Sequence, residues 1–118
     1  MESERRQARS NDPLEAAELY LASTARRNAL KALTLSHHDG AVVAGAPTQL
    51  NTEAIATLAT IAGPGNHPRD GLVNLVTHGL PIKICHLDIE GNPHYLSAVG
   101  DDEYPVDEIE TALNRILS

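Results

Sequence analysis

The chain has 118 residues, 42% of them hydrophobic, and a formal net charge of −7, which is one domain's worth of sequence and enough to bury a real core. With no Trp, no Phe and three Tyr, that core must be built from Leu, Ile, Val and Ala, which bury less area per residue than rings, so a second copy would help to cover it. Residues 83–118 hold eight acids against Lys83 and Arg115, an acidic field that repels phosphate backbones and anionic lipid and argues against nucleic acid or membrane as a partner.

Residues 1–10 are polar, rich in Arg and Glu, and show no apolar period, which predicts a disordered tail ahead of a single domain over residues 11–118. Asp12, Pro13 and Glu15 then form a helix start: a capping carboxylate, a proline where its missing N–H costs nothing, and an acid in the first turn. Leu14, Ala17, Leu21 and Ala25 mark one face, and Arg26 and Arg27 sit where the helix dipole favours cations, so the helix should end near Asn28. Residues 30–36 and 41–45 read as two short strands about an Asp39-Gly40 turn, a β-hairpin.

A second helix over residues 51–62, capped by Asn51 or Thr52, is unusual. Residues 40–82 carry only Glu53, Arg69 and Asp70 as formal charges. A surface helix normally sets charges opposite its apolar stripe, but here Ile55, Leu58, Ala59 and Ala62 form the stripe, and the other side offers Ala56, Thr57 and Thr60. Such a surface points to self-association or a docked partner.

The run from Gly63 to Gly71 (GPGNHPRDG) reads as loop. Strands are expected over residues 72–77, 82–89 and 94–99, the last two joined by a turn over residues 90–93. A closing helix runs from about Pro105 to Leu117, with Val106, Ile109, Leu113, Ile116 and Leu117 buried, and the acids at 101–103 flank its start. The order α-β-β-α-β-β-β-α, with hairpins joining most strands, predicts an α+β fold: a five-stranded antiparallel sheet with helices on its faces.

No residue pattern announces a reaction. His37 and His38 are adjacent, whereas zinc takes separated ligands that converge on one point, so with Asp39 they read as a hairpin tip in preference to a metal site; His86 and His94 are displaced when the last two strands pair with His94 opposite about Ile89. Cys85, the lone cysteine, sits in an apolar alternation and is assigned to the core. Neither Ser36 nor Ser97 lies in a nucleophile elbow, and the Gly63 to Gly71 glycines lack the Lys and following helix of a phosphate loop. No catalytic residue, cofactor or metal ligand is assigned, and the absence of a long apolar run or leader makes the cytoplasm the expected location.

The hairpin "LTLSHHDGAVVAGA", the small-residue helix "TEAIATLATIA" and the distal "ICHLDIEGNPHYLSAVG" before a last helix resemble the roadblock (dynein light chain) family, in particular its bacterial MglB-like members. The resemblance implies a non-enzymatic homodimer joined through third strands and second helices, with Ile55, Leu58, Ala59, Ala62, Leu72, Val73 and Leu75 as dimer contacts. It further implies a Ras-like small GTPase as partner, bound over the paired helices, with Gln49, Thr52, Glu53, Ala56, Thr57 and Thr60 bordering that face. The alternative is a small-molecule or metal-sensing α/β binding domain.

Overall fold

The computed structural model describes residues 12–67, 71–100 and 104–118; the expected tail over residues 1–10, Arg69 and the acidic run 101–103 lie outside the described residues. Helix α1 (Pro13–Arg27) begins as its signals require, with the Asp12 carboxylate accepting from the Glu15 N–H at 3.2 Å and Pro13 in the first turn. Asn28 closes it. Strands β1 (Ala32–His37) and β2 (Val42–Gly45) form the expected hairpin. In its turn Asp39 Oδ1 accepts from the Ala41 N–H, and Gly40 takes a φ of +97° that a side chain would oppose. Helix α2 (Thr52–Ala62) is capped by Asn51, whose Oδ1 accepts from the Ala54 N–H at 3.0 Å.

The largest departure from expectation follows α2. The stretch read as loop supplies the third strand, β3 (Gly65–His67), and the expected strand over residues 72–77 is instead helix α3 (Gly71–Thr77). Apolar residues at 72, 73, 75 and 76 do not alternate, and helical spacing sends Val73 and Val76 toward the core while Leu72 and Leu75 turn outward. β3 is short because an edge strand needs only backbone partners, which it finds in the register Gly65↔Ile84 and His67↔Ile82.

Strands β4 (Ile82–Ile89) and β5 (Asn92–Val99) are joined by a tight turn at Glu90 and Gly91, with φ of 55° and 78°, the backbone twist a two-residue hairpin needs. Because the turn is shorter than expected, His94 faces Leu87 and not Ile89, and His86 faces Tyr95. Helix α4 (Val106–Leu117) ends the chain's described part.

The sheet order is β2-β1-β5-β4-β3, with every pair antiparallel. The five-stranded α+β architecture therefore stands, with α3 as an added helix. On one face Leu33, Leu35, Leu87 and Leu96 pack against Leu21 of α1 and against Ile109 and Leu113 of α4. On the other, Ala32, Ile82, Ile84 and Val99 pack against Ile55, Leu58 and Ala59 of α2. α4 is also tied to the sheet by polar bonds: Glu110 Oε2 accepts from the Asp88 N–H at 2.9 Å, Asn114 Oδ1 from the Glu90 N–H at 2.9 Å, and Asn114 Nδ2 donates to the Asp88 carbonyl at 2.8 Å. Those bonds cap β4 where β3 has stopped covering it. No helix among the described residues is long and apolar enough to cross a membrane.

Candidate functional site

The charge-poor helix divides its residues more sharply than its sequence suggests. Ile55, Leu58 and Ala59, expected as dimer contacts, are buried against the chain's own sheet, so they offer no surface to a second copy. Ala56, expected at a partner face, is fully buried as well, where the β1–β2 turn crosses the helix and a Cβ on Gly40 would lie 3.3 Å from Thr60 Cγ2 and 3.9 Å from the Ala56 carbonyl. Thr60 is half-buried there, its hydroxyl donating to the Thr57 carbonyl at 2.7 Å.

What remains exposed is one row along α2, Glu53, Thr57 and Ile61, at the i, i+4, i+8 spacing of a helix face. Beside it runs α3. Leu72 and Leu75 are exposed, and the two helices enclose an open groove of about 460 Å³ lined by Thr57, Ile61, Leu72 and Val76. Ile61 is 66% exposed and Leu72 48% where they line the groove, and Leu75, three residues past Leu72 on α3, is 74% exposed; among the described residues the one charge lining the groove is Glu53. Contiguous apolar surface of this kind marks interaction sites in soluble proteins. Ala62 and Val73 are half-buried at its margin. Gln49 and Thr52 do not join it, since each lines a different furrow beyond the helix N-terminus. Ile61 is the residue the sequence reading missed; at four residues past Thr57, helical phase alone would have placed it on the exposed row.

The floor under α2 is partly polar. Thr34 and Ser97 lie opposite each other, and Ser36 follows two residues along β1, so the alternation of a strand puts all three on the face that carries Ala32 and Val99. Their hydroxyls are buried with no hydrogen-bond partner among the described residues. Each such group costs on the order of 1–3 kcal/mol. α2 therefore rests on a seat less favourable than an all-aliphatic one.

The histidines do not assemble a site: among the described residues no group of three or more His, Cys, Asp or Glu could hold a metal ion. The register does bring His37 beside His94, with ring centroids 4.6 Å apart, a pairing that sequence separation concealed. His94 is buried, and its Nδ1 lies 2.9 Å from the Asn92 carbonyl, to which it donates. Cys85 is half-buried and not sealed in the core; the Tyr104 hydroxyl donates to its Sγ and to the Lys83 carbonyl, both at 3.3 Å. Burial, and then the bond to Cys85, hold the Tyr104 phenol well above its ordinary range.

No protein-family model and no curated protein sequence matches the chain. Solved structures do match. The gliding protein MglB from Thermus thermophilus superimposes with a TM-score of 0.63 at 19% identity over 90% of this chain and 91% of that one. A structure described as MglB with a tetrameric arrangement gives 0.59 at 19% identity, covering 90% of each chain. Myxococcus xanthus MglB gives 0.53 at 11% identity, covering 86% of each. The chain thus has the fold of MglB over nearly its whole length.

Proposed function

We propose that the protein is a non-enzymatic regulator: two copies join about a two-fold axis, and the dimer binds a cytoplasmic Ras-like small GTPase and modulates its nucleotide cycle. The observation that carries this reading is the α2–α3 face, where Ile61 and Leu72 stand exposed beside Thr57, Leu75 is exposed farther along α3, and Glu53 is the one charge lining the groove among the described residues. Burying that face against its own copy removes apolar area twice for one contact, as a two-fold axis does for any self-complementary patch. Ala62 and Val73, at the margin, join the contact. β3 is an edge strand of the sheet, and joining the β3 edges of two copies extends the contact. Gln49 and Glu53, at the start of α2, with Thr57 and Thr60 farther along it, border the partner. The shared fold with MglB and the sequence resemblance to the roadblock family support the same reading.

A regulator must prefer one nucleotide state, since equal affinity for both shifts nothing. The GTP form is the expected target. The test takes untagged protein at micromolar concentration for light scattering, where a dimer gives twice the chain mass of 12.6 kDa. Each Ras-like GTPase of the source genome is then loaded with a GTP analogue or GDP and assayed for binding and hydrolysis with and without the protein. A stable monomer refutes the dimer. Absence of binding to every GTPase in both states refutes the regulator, whatever the oligomeric state.

A further inference from the structure

The two edges of the sheet are treated differently. Past the end of β3, β4 exposes backbone groups at Asp88 and Glu90 that Glu110 and Asn114 of α4 cap with three bonds of 2.8 to 2.9 Å. At the opposite edge β2 has β1 on one side and, among the described residues, no strand on the other. Proteins normally blunt such an edge with charge, Pro, a bulge or a covering element; here Val42, Val43, Ala44 and Gly45 carry no charge, and Pro47 follows just past the strand. A bulge between the pairs Leu35↔Ala44 and Ser36↔Val42 bends the strand near Val43, which confines the straight part of the edge to residues 44–46.

Gly45 is the centre of that part. The Ala46 N–H donates to the Leu33 carbonyl at 3.0 Å, and Leu35 pairs with Ala44. Antiparallel alternation therefore turns the N–H and C=O of Gly45, between them, away from β1 and outward. Nothing internal demands glycine here. Its φ lies outside the left-handed region, and an added Cβ would meet neighbours at 3.5 Å or more, an ordinary contact. A strand glycine needed by neither strain nor crowding fits the close approach of another backbone.

A furrow runs along this edge. It has a volume of about 490 Å³, and its apolar lining includes Leu19 and Ala22 of α1 with Val42 and Pro47. Leu19 and Val42 are exposed. Glu15 and Glu18 line it from α1, with no base lining it among the described residues.

We infer that the β2 edge and this furrow form a docking site for an extended, basic segment of another protein, which adds as a short strand beside Gly45. Alternate side chains of the added strand drop into the furrow and pack on Leu19 and Val42, and intervening Arg or Lys residues meet Glu15 and Glu18. Backbone bonds to Gly45 supply affinity and the acids select charge. The chain's own residues 1–10 contain Arg5, Arg6 and Arg9 but only Met1 and Ala8 as apolar residues, seven apart and not in the alternation that the furrow's floor requires, so the occupant is a partner segment.

The test uses the full chain and a fluorescein-labelled, capped eight-residue peptide alternating arginine and valine, followed by fluorescence anisotropy. Saturable binding is expected, at least tenfold weaker with Glu18→Lys, with Leu19→Ser, and with a peptide N-methylated on alternate amides. Gly45→Pro removes the outward N–H at an edge position that tolerates proline and should abolish binding with the melting temperature kept within a few degrees. A matched glutamate and valine peptide should not bind the unmodified chain. The inference is overturned by no binding up to millimolar peptide, or by binding that the N-methylated peptide and Gly45→Pro leave unchanged. Binding that rises tenfold when Arg5, Arg6 and Arg9 are all changed to Glu also overturns it, by assigning the furrow to the chain's own first residues.

Discussion

Leu75→Ala separates the α2–α3 face as an interface from the same face as idle surface. Full burial of a leucine side chain stabilises by roughly 1.5–3 kcal/mol, and 74% of Leu75 is exposed in the single chain. Covering that remainder is worth about 1–2 kcal/mol per copy, most of which alanine forfeits. A two-fold axis counts the loss in both subunits. The expected weakening of the dimer is about 2–3 kcal/mol, a rise of roughly 30- to 150-fold in its dissociation constant. The monomer should barely notice, because an exposed side chain away from caps and core changes stability by about 0.5 kcal/mol or less. Sedimentation velocity over a dilution series measures the first quantity, and a thermal melt below the dissociation constant measures the second. A dimer whose dissociation constant moves less than threefold, with the melt unchanged, refutes the placement of Leu75 in the contact. If Ile61→Ala, at 66% exposure, is equally silent, the α2–α3 face is not the dimer interface.

Thr34→Val replaces a buried hydroxyl that has no partner among the described residues by a methyl of similar shape, and should stabilise by about 1 kcal/mol in a denaturant titration; destabilisation would mean that the hydroxyl makes a bond essential to the seat of α2. Asn51→Ala removes the acceptor of the Ala54 N–H and should cost about 1 kcal/mol, read from the same titration. Tyr104 gives an alkaline signature. Burial keeps its folded phenol neutral above the ordinary value of 10.0, whereas the unfolded phenol ionises there, so the unfolded state gains. Stability is undiminished below pH 10 and falls above it by up to about 1.4 kcal/mol per pH unit, a slope that Tyr104→Phe should reduce relative to the unmodified chain in melts from pH 9 to 11.

Elements whose signals are local were legible in the sequence. Asp12 with Pro13 and Asn51 with Thr52 set two helix starts, and both caps bond as their spacing requires. The strand over residues 82–89 declares itself by alternation and holds its limits. β3 could not be read that way. Three residues containing one Gly and no aliphatic side chain form a strand only because Ile82 to Ile84 present a backbone edge at the right distance, and no local propensity records that. Residues 72–77 were misread because short apolar runs fit either period, and length favoured the strand. At the candidate site, the charge poverty of α2 was plain, but it had two causes that sequence cannot separate. Ile55, Leu58 and Ala59 are apolar because the sheet lies beneath them, and Ala56 is small because the β1–β2 turn crosses it. Only Thr57 and Ile61 are uncharged without an internal reason. The pairing of His37 with His94 and the furrow beside Gly45 are products of register and strand order, which no single segment encodes.

Strand order also decides whether the two proposed surfaces interfere. β2 and β3 are the opposite ends of the order β2-β1-β5-β4-β3, four interstrand spacings or about 19 Å apart across the sheet. Leu75 belongs to α3, the helix that follows β3 in the chain, whereas Gly45 lies on β2 at the other edge; α2 reaches toward both, since its Thr52 lines the furrow and its Ile61 lines the α2–α3 groove. Effects of well-separated positions add when no partner is shared, so Leu75→Ala should change the dimer dissociation constant and leave peptide affinity per chain within about twofold, while Gly45→Pro should do the reverse. The double variant should show both losses at their single-variant sizes, measured by sedimentation and anisotropy on the same samples. A peptide affinity that falls tenfold with Leu75→Ala would mean that the edge site is completed only in the dimer, and the two surfaces would then have to be treated as one coupled system.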